Sequence, residues 1–85
     1  MASTFPEHVE IDAKGDPTLA AEVAARMLDA PLDAFLADLR AGVVYSVVER
    51  GEGEDAGRLR LTLRRRATTR VLVVDAATGR VIEAS

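Results

Sequence analysis

Apolar residues recur at every second position through much of the C-terminal half of the chain. Arg58 to Arg64 places three leucines on one side and charged or polar residues on the other. Strict alternation of this kind is typical of a β-strand with one buried face. Residues 43–48, 69–74 and 80–83 also have strand character, because they are rich in β-branched side chains. We therefore predict an antiparallel meander of four strands over the C-terminal half.

Three connections join these predicted strands. Gly51 to Gly57 is rich in glycine and acidic residues, which predicts a polar hairpin loop. Asp75 to Gly79 predicts a type I turn with glycine at the left-handed position. Residues 65–69 contain no Gly, Asn or Pro, so the sequence specifies the register of that turn only weakly.

The N-terminal half predicts a short strand and two helices. Polar and apolar residues alternate over His8 to Asp12, which indicates the strand. Asp16-Pro17 predicts the start of the first helix, because Asp accepts hydrogen bonds from free N–H groups and Pro needs no donor there. Pro31 ends that helix near Asp29, and a second helix follows at once. Gly42 is expected to close the second helix in a left-handed conformation.

Each predicted helix has one apolar face. These faces consist of Leu19, Val23, Met27 and Leu28 in the first helix and Leu32, Phe35, Leu36 and Leu39 in the second. The order of elements predicts an α+β fold in which both helices pack on one face of an antiparallel sheet. The 85 residues are expected to form one domain, with flexible ends at about residues 1–6 and 84–85.

The first and third strands of the meander carry apolar residues on both of their faces. Since two helices cover only one face of a sheet, part of this apolar surface would remain in water. The residues concerned are Val44, Val48 and either Leu72 and Val74 or their neighbours. A second copy of the chain that covers them is the preferred explanation. The alternative is a monomer with scattered exposed valines, which soluble proteins tolerate.

The net charge of −3 conceals a strong asymmetry along the chain. Residues 1–55 have 4 basic and 12 acidic side chains, a net of −8, and residues 56–85 have 7 and 2, a net of +5. Arg58, Arg60 and Arg64 share one strand face, and Arg70 lies close by in the meander. We expect them to contact an acidic partner protein or the acidic helices of a second copy, because helices and arginine face lie on opposite sides of the sheet.

Nucleic-acid binding by the same arginines is the alternative function. Two helices followed by a hairpin resemble a winged helix-turn-helix, but the second helix carries Asp33 and Asp38 against Arg40, which opposes attraction to phosphate. Proteins that bind single strands stack bases on aromatic side chains, and only Tyr45 is available for this. The sequence therefore favours a protein-interaction module over a nucleic-acid-binding regulator.

Other chemistry finds little support in the sequence. The glycines of residues 51–57 precede a strand and alternate with acids, whereas phosphate loops open onto a helix. Glu52 and Glu54 alone cannot supply the six to eight oxygen ligands, roughly, that calcium prefers. His8 is the only histidine and cysteine is absent, so neither a zinc site nor a nucleophile–base pair is evident. We expect no enzymatic activity, no metal and no cofactor.

The sequence also predicts a location. No apolar run approaches the roughly 20 residues of a membrane helix, and the start MASTFPEHVE lacks the pattern of a signal peptide. We expect a cytoplasmic protein without a membrane partner.

The stretch LDAFLADLRAGVVYSVVERGEGEDAGRLRLTLRRR, continued by VLVVDAATGRVIE, resembles a family of small uncharacterised bacterial proteins. The resemblance covers about residues 19–83. Its most specific element is the GEDAGR hairpin of residues 53–58, which includes Glu54, Asp55 and Gly57. Aromatic residues that the family often has in the next strand are replaced here by Leu59 and Leu63. The resemblance implies no activity, because the family has no assigned function.

Overall fold

The computed structural model of the chain describes residues 4–85. Two short strands precede two helices and four longer strands. In chain order the elements are β1 (Glu10–Ile11), β2 (Pro17–Thr18), α1 (Ala21–Met27), α2 (Leu32–Arg40), β3 (Val44–Arg50), a 3₁₀ turn (Gly53–Asp55), β4 (Arg58–Arg65), β5 (Thr68–Asp75) and β6 (Val81–Ala84). The predicted α+β class is confirmed.

The four longer strands form an antiparallel meander in the order β3-β4-β5-β6. Within the sheet, Leu61 of β4 lies opposite Val48 of β3 and Leu72 of β5. Since opposite residues share a face, this register turns the leucines of β4 to the same side as Leu72 and Val74. All of these leucines and Val74 are buried, so the predicted meander and the buried face of its central strand are confirmed.

The core fills the space between this face of the sheet and the two helices. The helices contribute Ala24, Ala25, Met27, Leu28 and Phe35, and the sheet contributes Val44, Leu59, Leu61, Leu63, Leu72 and Val74. The alanines of α1 have small side chains, which lets this helix approach the sheet closely. Burial of these apolar side chains is the main force that holds the helices on one face, as the sequence predicted.

The first helix begins at Ala21 and not at Asp16-Pro17, so that prediction is wrong. Pro17 and Thr18 instead form β2, which pairs with β1 in a small antiparallel ribbon. The carboxylate of Asp12 accepts hydrogen bonds from the N–H groups of Lys14 at 2.9 Å and Asp16 at 3.0 Å. A turn closed by the Asp12 side chain therefore stands where the sequence predicted the start of the helix.

Both helices end close to the predicted positions. After α1, Asp29 adopts a left-handed φ of 55°, and the N–H of Ala30 donates to the carbonyl of Ala25 at 2.9 Å. After α2, Gly42 has a φ of 77°, and the N–H of Val43 donates to the carbonyl of Asp38 at 2.9 Å. The expected closure of the second helix by Gly42 is confirmed.

The N-terminal segment docks beside the start of β6. The N–H of Val9 donates to the carbonyl of Gly79 at 2.8 Å, and the N–H of Val81 donates to the carbonyl of Glu7 at 2.9 Å. Val9 is buried in the core. The strand predicted over residues 8–12 is thus divided, with one part beside β6 and the other in β1.

The chain ends, expected to be flexible, are held by specific contacts where they are described. Ser85 exchanges two backbone hydrogen bonds with Val71, each of 2.9 Å, so residues 84–85 continue the sheet. At the other end, Phe5 packs partly buried against the core. Residues 1–3 of the segment 1–6 lie outside the described residues.

The turn that the sequence left unspecified is a tight one. Arg65 pairs with Thr68, so Arg66 and Ala67 are the two central residues. Arg66 has a φ of 55°, which places a positive φ at the first central position, as in a type II′ turn. This position usually holds glycine, which explains why the sequence specified the register of this turn only weakly.

Gly79→Ala should destabilise the fold by about 3 kcal/mol. A Cβ at Gly79, whose φ is 80°, would collide with the carbonyl oxygen of Val9. Gly57→Ala is the matched control, because Gly57 has a φ of 87° but no atom within 4 Å of an added Cβ. The control should lose only about 1 kcal/mol. Urea denaturation of both variants measures the difference, and equal losses would contradict the docking of the N-terminal segment.

Candidate interaction surface

The side of the sheet opposite the helices, here called the outer face, is open to solvent in the part of the chain that the structure describes. By register it consists of Tyr45, Val47 and Glu49 of β3, Arg58, Arg60, Thr62 and Arg64 of β4, Thr69, Val71 and Val73 of β5, and Glu83 of β6. Tyr45 is 53% exposed and Val47 is 47% exposed. The expectation that the helices leave one face uncovered is therefore confirmed.

The valines on this face are not the ones that the sequence suggested. The placement of Val44 in water is wrong, because Val44 faces the helices and is 4% exposed. Val48 also lies on the helix side, but it is 37% exposed because β3 is an edge strand. Leu72 and Val74 are buried, so the residues of β5 that face outward are their neighbours Val71 and Val73. The apolar residues of the outer face are Tyr45, Val47, Val71 and Val73.

Three of the predicted arginines do share the outer face. An Nη1 atom of Arg60 lies 3.8 Å from Glu49 Oε1, and Nη1 of Arg58 lies 4.0 Å from Asp55 Oδ1. Both ion pairs are exposed and loosely held. Arg64 Nε donates to a backbone carbonyl of the following turn at 3.1 Å, and the described residues give its side chain no carboxylate within 4.0 Å. These three guanidinium groups remain accessible to another molecule.

Arg70 does not belong to this surface, because it lies on the helix side of β5, opposite Leu63; its role as a partner contact stays a prediction. Its Nε donates to the carbonyl of Met27 at 2.8 Å. Met27 is the last residue of α1, where carbonyl groups lack partners within the helix and cations are favoured. Arg70 therefore fixes the end of a helix on the covered side of the sheet.

Two further arginines neutralise the second helix within the chain. Arg65 Nε lies 2.7 Å from Asp38 Oδ2, and the two side chains are only 22% and 16% exposed. Arg66 Nη2 lies 3.5 Å from the other oxygen of Asp38. The sequence placed the helices and the arginine face on opposite sides of the sheet, which made pairing within the chain unexpected. The pairing is possible because Arg65 lies on the helix side of β4, on the same face as Leu61 and Leu63.

The GEDAGR hairpin forms one rim of the outer face. Its Gly57 has a φ of 87°, and the carbonyl of Gly57 accepts a hydrogen bond from the N–H of Ala76 at 2.8 Å. A shallow depression of about 430 Å³ lies beside it. Its charged lining consists of Glu49, Arg50, Glu52, Asp55, Arg58, Arg60 and Glu83. This mixture of four acids and three arginines has no strong preference for a phosphate.

Residues 4–85 contain no cluster of three His, Asp or Glu side chains that could hold a metal ion. His8 Nε2 lies 2.6 Å from the carbonyl oxygen of Thr78. That nitrogen must carry a proton and donate, which ties the N-terminal segment to the turn after β5. Nor does any helix in this range have the length and apolar character needed to cross a membrane.

Sequence reasoning missed the free edge of β3. Every residue from Tyr45 to Arg50 is exposed, including three large apolar side chains. An apolar cleft of about 250 Å³ opens between this strand and the helices, lined by residues such as Leu19, Phe35 and Leu39. The only sign in the sequence was the two-sided apolar pattern of residues 43–48.

The turn after β5 contains Asp75, a carboxylate whose pKa is lowered by its hydrogen bonds. Asp75 Oδ1 accepts hydrogen bonds from the N–H groups of Ala77 at 2.8 Å and Thr78 at 3.0 Å. These two bonds lower the pKa of Asp75 from its usual value of 3.8, and the nearby charge of Arg80 acts in the same direction. Ionised Asp75 therefore stabilises the turn.

Comparison with known proteins adds one finding. A family model described as "Family of unknown function (DUF6522)" matches residues 6–85. No match to this chain was found among curated proteins or among solved structures. The expected family without an assigned function is confirmed, whereas its bacterial origin and its GEDAGR hairpin stay predictions.

Asp75→Ala should lower the free energy of unfolding at pH 7, and the deficit should disappear in acid. Because the pKa of Asp75 is lower in the folded chain than its unfolded value of 3.8, the stabilisation is complete above that value and is lost as the pH falls through the folded value. Urea denaturation from pH 7 down to about pH 2 measures it. A deficit that stayed constant over this range would contradict the role of the ionised carboxylate.

Proposed function

The chain belongs to a family of unknown function, DUF6522, and we propose that it is a homodimeric protein-interaction module without catalytic activity. The observation that carries this proposal is the uncovered outer face, where exposed Tyr45 and Val47 lie beside Arg60 and Arg64. Tyrosine and arginine are enriched at protein interfaces, and arginine forms bidentate bonds with carboxylates. The surface therefore suits contact with other proteins.

The sheet supports the dimer through its exposed apolar side chains. Tyr45, Val47 and Val48 are all exposed on a single strand. In a chain of 85 residues, a thin core leaves little stability to spare for apolar residues in water. Contact with a second copy covers part of this apolar surface and stabilises the fold as well.

The arginines of the outer face support an acidic protein as the further partner. The ion pairs of Arg58 and Arg60 are exposed and long, so little free energy is lost when a partner's carboxylates replace them. Arg64 can accept such a carboxylate without giving up an existing ion pair. Their main effect would be on the orientation and choice of the partner.

Nucleic acid is the less favoured partner for the same surface. Glu49 and Glu83 lie on the outer face among the arginines. Phosphate attraction dominates affinity for nucleic acid, and these carboxylates weaken it. Tyr45 is the one aromatic residue available for stacking with a base on this face, whereas single-strand binding usually uses several.

The purified chain should have twice its 9.1 kDa mass in solution. Multi-angle light scattering behind a sizing column measures this, with samples loaded at up to about 100 µM to allow for a modest affinity. A constant mass of one chain over that range would contradict the homodimer.

Removal of two outer-face arginines should weaken the binding of an acidic peptide. In anisotropy titrations at low salt with a fluorescent polyglutamate peptide, Arg60→Gln/Arg64→Gln should raise the dissociation constant about tenfold. Arg26→Gln/Arg40→Gln is the matched control, because it removes the same charge from the exposed surface of the helices. It should change the constant by less than about twofold.

A labelled oligothymidine titrated in parallel distinguishes the second class of partner. Tighter binding of the oligothymidine than of the peptide, with a steep decrease as salt increases, would favour nucleic acid instead. If Arg60→Gln/Arg64→Gln and Arg26→Gln/Arg40→Gln lost equal affinity for the peptide, the outer face would have no special role.

A further inference from the structure

The two edges of the four-stranded sheet differ in how they are protected. β6 is 4 residues long, its register with β5 shifts at Val73/Val74, and the N-terminal segment covers its start. β3 is 7 residues long and pairs with β4 without a shift, and no described strand lies on its other side. Sheets usually protect an edge with a short strand, a bulge or a covering segment. β6 has all three protections and β3 has none.

Alternate residues of β3 direct their backbone groups toward this free edge. The N–H of Gly51 donates to the carbonyl of Arg58 at 2.9 Å, which fixes the alternation in an antiparallel pair. The residues that bond to β4 are therefore Tyr45, Val47 and Glu49. The backbone groups of Ser46 and Val48 point the other way and have no partner among residues 4–85. An added extended strand would satisfy them.

The apolar cleft adjoins the same edge on the helix side. Val44 and Ser46 of β3 form one wall of the cleft, and Phe35 and Leu39 of α2 form part of the other. Leu39 is 47% exposed there. Every second side chain of an added strand would enter this space and cover those residues. Strand addition commonly combines backbone pairing with side chains that fill such a pocket.

We propose that a second copy of this chain occupies the edge, with the two β3 strands antiparallel about a twofold axis at Ser46. This proposal rests on the homodimer proposed above and specifies its contact. With the axis at Ser46, apolar side chains of one β3 strand lie opposite apolar side chains of the other. On the outer face Tyr45 meets the partner's Val47, and on the helix side Val44 meets the partner's Val48. Pairs of aromatic and β-branched residues are favourable across strands. The two sheets become one of eight strands.

Two other registers, with the axis at Val47 or at Val48, are less favourable. An axis at Val47 would place Tyr45 opposite the partner's Glu49 and Val44 opposite the partner's Arg50. An axis at Val48 would bring the two Glu49 side chains within roughly 8 Å of each other. With the axis at Ser46 the same two residues are about 20 Å apart. Like charges are therefore better separated, and apolar residues better paired, in the proposed register than in these two.

Single cysteines test the register directly, because the chain has no cysteine of its own. Ser46→Cys places two thiols opposite each other at a Cα separation of about 5.5 Å, which suits a disulfide, so mild oxidation should convert it to a cross-linked dimer. Cross-linking of Val47→Cys would indicate the register with its axis at Val47. Cross-linking of Thr62→Cys would indicate a dimer in which two outer faces stack on each other. More efficient cross-linking at either control position than at Ser46 would overturn the proposal.

Charged variants on the two edges provide an independent test. Val48→Lys places a cation on the β3 edge and should raise the dimer dissociation constant at least about tenfold in light scattering. Ile82→Lys is the matched control, since Ile82 is 41% exposed on the other edge strand. It should leave the dimer intact. Circular dichroism checks that both variants fold.

The outcomes separate this proposal from the function on which it rests. A monomeric parent chain would overturn both the homodimer and the β3 contact. A dimer that resists Val48→Lys and does not cross-link at Ser46 would overturn the β3 contact alone.

Discussion

The short length of the two helices limits how much of the apolar surface of the sheet they can cover. α1 has 7 residues and α2 has 9, so at about 1.5 Å per residue they are roughly 10 and 14 Å long. The strands of 8 residues, β4 and β5, extend about 27 Å at the usual rise. The helices are therefore about half as long as the central strands whose apolar residues they help to bury. β3 keeps only Val44 buried, and the outer face receives no cover from the described residues.

The central strand could be predicted from the sequence because its pattern is one-sided. The leucines of β4 occupy alternate positions and polar residues occupy the rest, so only one face can be buried. β3 has apolar residues at both odd and even positions, so they occur on both faces of the strand. Nothing within the strand shows which set faces the helices. That choice depends on the hairpin after it, where the 3₁₀ turn and Gly57 fix the register. A shift of one residue exchanges the faces, which is the error made for Val44.

Two further differences from the sequence pattern arise from contacts between distant residues. Asp16-Pro17 is a sound helix start in isolation, but the Asp16 carboxylate accepts from Arg50 at 3.0 Å, and Pro17 belongs to the β-ribbon. Arg70 lies in a strand of apolar and polar residues, and no nearby residue indicates that a helix would end above it. Both contacts join residues more than 30 positions apart, so short patterns could not reveal them.

The distribution of charge in the structure explains why the net asymmetry of the sequence is a poor guide to the partner. Arg65 and Arg66 pair with Asp38 of the N-terminal half, so this part of the excess is neutralised within the chain. What remains on the outer face is a few arginines around exposed apolar residues. In the proposed dimer, Tyr45 and Val47 of both copies form an apolar seam, and Arg64 lies opposite Tyr45 in the neighbouring strand. An apolar centre with a charged rim is the usual organisation of a protein interface, whereas nucleic acid favours a continuous basic surface.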